Sequence, residues 1–130
     1  MIEPMSETKL WDLINEAEAQ MTRAQERLWD AIRILPERWR QHPYGDDSGG
    51  FWAVGLLGRR VLSFNEIEHG FNISRYSPYG TIDHYLCNQD RLELAIQELE
   101  DLVLRGYAPG PAMGGPKPGT YQEADASRRK

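Results

Sequence analysis

Apolar residues in the first third of the chain recur with helical spacing. They alternate steps of four and three residues over nearly four heptads: Leu10, Ile14, Ala17, Met21, Ala24, Leu28, Ala31 and Leu35. Ser6 is a suitable N-cap residue, and Pro36 disfavours helical conformation in the residue that precedes it. The pattern therefore predicts one long N-terminal helix over residues 7–34.

The apolar seam of this helix has two interpretations. The helix either lies across the rest of the domain with one end projecting, or pairs with its own copy in a homodimer through the Leu10–Leu35 seam. Three of the eight seam residues are Ala, which permits close helix approach but buries little area. Both alternatives remain open.

Alternating apolar residues in the middle of the chain predict strands. Phe51–Leu57 and Arg60–Glu66 have strand composition and flank Gly58-Arg59, which suits a two-residue type II′ turn. Four residue pairs follow from that turn: Leu57 with Arg60, Gly55 with Leu62, Ala53 with Phe64, and Phe51 with Glu66. The hairpin follows a turn-rich connection over Glu37–Ser48.

Two further segments extend the sheet. Phe71–Tyr76 is predicted as a third strand, and Thr81–Leu86 as a short fourth strand or an extended lead-in to the next helix. That C-terminal helix, over residues 89–105, has Asn88 as its N-cap, Gly106 after its last turn and one apolar stripe: Leu92, Ala95, Ile96, Leu99, Leu102 and Val103.

The predicted fold class is α+β, in the order α-β-β-β-(β)-α, with an antiparallel sheet of three or four strands. Residues 1–107 form a single domain by length. Pro and Gly dominate the stretch after it and no apolar pattern continues, which predicts a disordered tail over residues 108–130.

Charge indicates the kind of partner. The formal net charge is −5, and residues 65–101 hold eight carboxylates against two arginines. That stretch repels a phosphate backbone, so we expect no nucleic-acid partner. It would attract a basic protein partner through long-range electrostatics, and the alternative is that the acidic charge serves ordinary solubility.

The compartment and the membrane follow from simpler signals. Cys87 is the single cysteine, so no intramolecular disulfide can form. The N-terminal residues lack the basic and apolar regions of a signal peptide, and no apolar run approaches the roughly 18 residues of a membrane span. We expect a cytoplasmic protein that does not contact a membrane.

Two short clusters are the candidates for chemistry. Glu66-Ile67-Glu68-His69 combines carboxylates with a histidine, which suits an acid–base pair or part of a metal site, and the alternative is a strand end with solvated charges. Asp83-His84-Tyr85-Leu86-Cys87 contains possible zinc-ligand types, but no second Cys-x-x-Cys or His pair completes a set. We therefore expect no metal and no cofactor. An alternative function is a small enzyme or ligand-binding protein, whose pocket would bring Glu66 and Glu68 together with His69, His84 and Cys87.

An arginine beside tyrosines is typical of protein-recognition surfaces. The main hypothesis is thus a non-catalytic interaction protein, for example an inhibitor or an immunity-type accessory protein, which binds a basic protein through an acidic, Tyr-bearing sheet face. Its predicted contact residues are Glu66, Glu68, Arg75, Tyr76, Tyr79 and Asp83. Arg75 has an alternative role as the cross-sheet ion partner of Glu66 or Glu68. A homodimeric structural module is the remaining alternative.

Overall fold

The computed structural model describes residues 4–106, which form three helices and a four-stranded antiparallel sheet. Their bounds are α1 Glu7–Gln20, α2 Arg23–Ile32, β1 Arg33–Trp39, β2 Phe51–Leu57, β3 Arg60–Asn65, β4 Gly70–Arg75 and α3 Leu92–Arg105. The strands pair in sequence order, β1-β2-β3-β4. The predicted α+β class and antiparallel sheet are confirmed. The tail predicted over residues 108–130 lies outside the described residues.

The helix predicted over residues 7–34 is divided into α1 and α2. Met21 leaves the helix with extended backbone angles, φ −76° and ψ 145°. Thr22 then begins α2 with a capping box: its hydroxyl accepts from the Gln25 N–H at 3.1 Å, and the Gln25 side chain accepts from the Thr22 N–H at 2.9 Å. This reciprocal pair satisfies two backbone donors, so a new helix starts where the apolar spacing predicted continuation.

The division also separates the predicted Leu10–Leu35 seam into parts with different surroundings. Leu10, Ile14 and Ala17 are buried in the core of this chain, whereas Leu35 is 79% exposed. A homodimer stays a prediction, but the first half of that seam is already covered by the chain itself.

β1 lies where a helix end and a connection were predicted. It is an edge strand, where the missing N–H of Pro36 is tolerated, and its pairing with β2 shifts register around that proline. The fourth strand is therefore β1 and not Thr81–Leu86. That segment is the extended lead-in of the two alternatives, with one isolated parallel bridge between Thr81 and Arg40.

β2 and β3 form the hairpin predicted around Gly58-Arg59. The first two predicted pairs are observed, Leu57 with Arg60 and Gly55 with Leu62. A register shift then places Ala53 opposite Ser63 and not opposite Phe64. The extra residue in β2 inverts the face on which its later side chains lie. Phe51, Ala53 and Leu56 belong to one side of the sheet, and Trp52, Val54 and Leu57 belong to the other.

Two apolar clusters lie on opposite faces of the sheet. The larger cluster packs between the sheet and the helices and includes Leu10, Ile14, Trp29, Phe64, Phe71, Leu92 and Ile96. The smaller one contains Trp39, Phe51, Ala53, Val61 and Ile82. Ile82 belongs to the segment that joins β4 to α3, residues 76–91, which we call the strap. The hairpin is thus covered by helices on one face and by the strap on the other.

Buried amide side chains of β3 and β4 hold the strap against the sheet. Asn65 donates to the Leu86 carbonyl at 2.9 Å, and Asn72 both donates to the Asn88 carbonyl at 3.1 Å and accepts from its N–H at 2.8 Å. An extended segment without a ladder needs such partners for its backbone. Asn88 is therefore engaged in the strap, not in the N-cap role predicted for it.

The helix α3 begins three residues later than predicted. Its N-cap is Arg91, which makes no side-chain capping bond. At the other end the prediction is confirmed: Gly106 adopts the left-handed conformation, φ 83°, and its N–H donates to the Leu102 carbonyl at 2.8 Å. The N-terminus of α3 has no side-chain cap and lies beside α1 and the β3–β4 turn.

Candidate functional site

Glu66, predicted as a contact residue, lies inside the protein. Its side chain is 3% exposed and accepts two bonds from the Arg38 guanidinium, at 2.8 and 3.1 Å, and one from the backbone N–H of Met5. Arg38 also lies over the Trp52 ring, 4.4 Å from its centroid. Glu66 therefore ties the N-terminal segment to the sheet, and Arg38 takes the pairing considered for Arg75.

Glu68 lies beside the strap. Its carboxylate is 3.5 Å from the Tyr85 hydroxyl and 3.4 Å from the Gln89 side-chain amide, so both bonds are long. Tyr85 packs against Tyr44 with ring centroids 4.0 Å apart. Burial is the main cause that raises the pKa of Tyr85. Glu68 remains half-buried and accessible from one side.

Tyr76 and Tyr79 gather around Trp39 and Glu37 at the β1 edge. Both tyrosine rings contact the Trp39 ring, with centroids 4.9 and 4.8 Å away. Glu37 accepts from the Tyr79 hydroxyl at 2.7 Å and from the Trp39 indole at 3.0 Å. These bonds, with that of Tyr79 first, lower the pKa of Glu37, and the same contact raises the pKa of Tyr79. Glu37 was not predicted as a site residue because its strand was not.

The remaining predicted contact residues stand at other positions. Arg75 is exposed and pairs in register with Arg60 on β3. Asp83 is exposed on the strap, with one oxygen 3.5 Å from the Ser77 hydroxyl. The six residues predicted as one acidic face are thus distributed between the interior, the β3–β4 turn, the end of β4, the strap and the β1 edge.

Charge is segregated between the layers of the fold. α1 carries four carboxylates against Lys9, and α3 carries four against Arg105. The four strands carry four arginines against Glu37. The acidic surface therefore belongs to α1 and α3, which pack together, more than to the sheet.

A half-open cavity of about 520 Å³ lies between α1, the β3–β4 turn and the start of α3. Its apolar lining includes Leu13, Ala17, Phe64, Phe71 and Leu92. Its charged and titratable lining consists of Glu16, His69, Asp90, Arg91 and Glu93. The volume is within the roughly 300–1,000 Å³ typical of small-ligand pockets. Here the acidic layer of the protein meets an apolar floor.

The β3–β4 turn positions His69 at this cavity. The side-chain oxygen of Asn65 accepts from the N–H groups of Ile67 and Glu68 at 2.9 and 3.2 Å. The backbone carbonyl of Asn65 accepts from the His69 N–H at 2.8 Å. His69 has φ 60°, the left-handed region, which costs a non-glycine residue on the order of 1 kcal/mol. Its ring meets the Phe64 ring edge-on, with centroids 5.7 Å apart.

Carboxylates crowd the start of α3. Burial raises the pKa of Asp90. Burial, followed by the charges of Asp90 and Asp101, raises the pKa of Glu98. The side chain of Glu93 is 8% exposed and meets the Arg91 Nε at 3.3 Å through one oxygen. Three carboxylates, Glu16, Asp90 and Glu93, line the cavity with one arginine, Arg91, and this excess of negative charge makes the cavity suited to a positively charged group.

The cavity residues contributed by α1 and α3 were missed at the sequence level. Asp90, Arg91 and Glu93 are charged positions around the first turn of a helix, which is also the pattern of an ordinary solvated helix start. Glu16 is more than seventy positions earlier in the chain. Only the packing of α1 against α3 brings them together.

Of the predicted alternative pocket, His69 alone lines the cavity. His84 and Cys87 lie on the strap, where the His84 carbonyl accepts a long bond from Ser74 and Cys87 is a half-buried free thiol. Within residues 4–106 no group of three His, Cys, Asp or Glu side chains is arranged to hold a metal ion. No helix in that part of the chain is long and apolar enough to cross a membrane. The chain matches no protein-family model, no curated protein and no solved structure at a significant level.

Proposed function

We propose that this protein is a non-catalytic interaction protein that binds a basic protein partner through its helical layer. The observation that carries the proposal is the convergence of three carboxylates, Glu16 of α1, Asp90 of the strap and Glu93 of α3, around an apolar-floored cavity of about 520 Å³. An inhibitor or an immunity-type accessory protein is one concrete form of this function.

Charge complementarity supports a basic partner. The carboxylates of α1 and α3 lie on one layer, so their fields add over the surface that a partner approaches. Such steering increases the association rate and selects partners by sign of charge. The apolar floor, with Phe64 and Phe71, offers the desolvated centre that a stable contact also needs.

The β1 edge supports a second contact area of smaller extent. Tyr79 is 61% exposed, and its hydroxyl is fixed by Glu37 at 2.7 Å. A tyrosine that is already ordered loses little entropy on binding. We include this part of the predicted Tyr-bearing face as a secondary contact, whereas Glu66 is excluded by its burial.

A small-ligand pocket is the second candidate function. His69 and Asp90 line the same cavity, and burial raises the pKa of Asp90. A carboxylic acid and an imidazole in one cavity are the usual partners of acid–base chemistry. Among the described residues these two side chains are not hydrogen-bonded to each other, so binding is favoured over catalysis.

The test starts from capture of partners by the full chain at low and high salt, about 0.05 and 0.5 M, since screening weakens charge steering. The captured protein is then purified, and the Kd of its complex is measured with the wild-type chain and with the variants Glu16→Lys and Asp90→Lys. Asp47→Lys is the matched control, because Asp47 is an exposed carboxylate in the β1–β2 connection.

We expect a basic partner that is released by salt, and a Kd that rises at least about tenfold in both cavity variants but not in Asp47→Lys. Binding that is indifferent to salt and equal in all four proteins would remove the proposal. Salt-dependent binding that Asp47→Lys weakens equally would place the contact elsewhere on the surface and equally contradict it.

A further inference from the structure

Glu93 is a buried carboxylate that lines the cavity. Its side chain is 8% exposed, and its Oε1 is buried without a hydrogen-bond partner among residues 4–106. A buried acceptor without a partner costs about 1–3 kcal/mol, and more when it is charged. The carboxylate is therefore incomplete within this chain.

Arg91 covers this carboxylate only weakly. Its side chain is 74% exposed, and the nearest approach of the two charged groups is 3.3 Å, between Arg91 Nε and Glu93 Oε2. A guanidinium has five donors in a planar fork that matches both oxygens of a carboxylate, and this contact leaves Glu93 Oε1 without a hydrogen bond. Holding a long, exposed side chain in one ion pair contributes little stability, so Arg91 is displaced at small cost.

We infer that Glu93 receives the guanidinium of one arginine side chain of the partner, which displaces Arg91 and binds both carboxylate oxygens. The inference rests on the proposed function and identifies Glu93 as the residue that anchors the partner's arginine, which we call the anchor. The aliphatic stem of the arginine lies on the apolar floor beside Phe64 and Phe71. Glu16 and Asp90, on the same cavity, add to the negative potential that attracts the cation.

The geometry favours a guanidinium over other charged groups. An anion would meet the uncapped start of α3 and Arg91 favourably, but three carboxylates line the same cavity. An ammonium is a point charge and does not match two oxygens of one carboxylate at once. A fork that bonds Oε1 and Oε2 together corrects the specific defect of Glu93, its unpartnered oxygen.

The test is calorimetric titration of the full chain with N-acetyl-arginine methylamide, compared with the matching lysine and citrulline compounds. Citrulline retains the shape of arginine without its charge. We expect millimolar binding of the arginine probe, and affinities at least about tenfold lower for the other two. Binding in Glu93→Gln should fall at least about tenfold, and Glu100→Gln, the same charge change on the same helix, should bind as wild type.

Arg91→Ala should change the affinity for the arginine probe in the opposite direction to Glu93→Gln. Because Arg91 competes for Glu93, its removal should raise the affinity for the arginine probe about two- to tenfold. This variant keeps the inference falsifiable if Glu93→Gln fails to fold. An Arg91→Ala protein that binds more weakly, or an equal response to the lysine or citrulline compound, would overturn the anchor.

The outcomes separate the anchor from the proposed function. A captured basic protein that binds wild type and Glu93→Gln equally overturns the anchor and leaves the function standing. A probe that needs Glu93, together with a protein partner that ignores Glu16→Lys and Asp90→Lys, supports the guanidinium site but assigns it to a free guanidinium compound, and the proposed function fails.

Discussion

Substitution of Glu66 by Gln should strongly destabilise the protein. The Glu66 carboxylate accepts hydrogen bonds from two Arg38 nitrogens and from the Met5 N–H, and its side chain is 3% exposed. Gln retains the size and one acceptor but replaces the other oxygen by an NH₂ group. That group faces donors, so at least one buried N–H loses its partner.

The magnitude follows from these contacts. Removing one member of a fully buried ion pair costs about 3–5 kcal/mol. Arg38 is 22% exposed and keeps the carbonyls of Gly50 and Met5 as acceptors, which reduces the loss. Each hydrogen bond to a charged group contributes about 1.5–3 kcal/mol, and one such bond is lost outright. We therefore expect the free energy of unfolding to fall by about 3 kcal/mol.

Urea unfolding followed by tryptophan fluorescence measures this loss. With a slope of about 1–3 kcal/mol per M, the midpoint should fall by about 1–3 M, in low and in high salt alike. Glu68→Gln is the matched control: its bonds to Tyr85 and Gln89 are 3.5 and 3.4 Å long, and we expect a change within about 0.5 kcal/mol. Equal midpoints for the two variants, or a loss that salt abolishes, would refute the reasoning.

Three further predictions concern the helices and the strap. Thr22→Ala should lower the free energy of unfolding by about 1 kcal/mol through loss of the capping box, and Thr22→Ser should restore most of it in the same urea assay. Gly70→Ala should cost about 2 kcal/mol or more, since its Cβ would collide with the strap backbone at Asn88 and Gln89. Calorimetric Tm measures this loss, and an unchanged Tm contradicts it. Glu98→Gln should stabilise the protein at pH 7. Burial raises the folded-state pKa of Glu98, so the wild-type protein loses stability as the pH rises past the unfolded-state pKa of about 4.3, whereas Gln does not ionise. The gain should disappear well below that pH, and a gain that persists there would contradict the assignment.

The hairpin and the C-terminal helix were predictable because their signals are local. The two-residue turn at Gly58-Arg59 fixed the register as far as the Gly55–Leu62 pair. Gly106 marked the end of α3 by the left-handed conformation that glycine adopts without strain. In both cases the residues that carry the information are neighbours in the chain.

The N-terminal half was harder because two local signals conflicted. Apolar spacing continued across Met21 and predicted one helix. Thr22-x-x-Gln25, however, has the capping-box pattern with which a new helix begins. The tertiary structure decided between them: Glu18 on α1 accepts from both the Trp29 indole at 2.7 Å and Arg33 at 2.6 Å. These bonds hold α2 back against α1, a geometry that a straight helix cannot reach.

The candidate site shows why a run of acidic residues is a poor guide to an acidic surface. The stretch 65–101 is acidic along the sequence, but the fold buries Glu66 against Arg38 and turns Glu68 toward the strap. Of its eight carboxylates only Asp90 and Glu93 line the cavity. The missing part of that surface comes from α1, far away in sequence. An electrostatic site is defined by which side chains the packing brings to one side, and here the decisive contact is between the first and last helices.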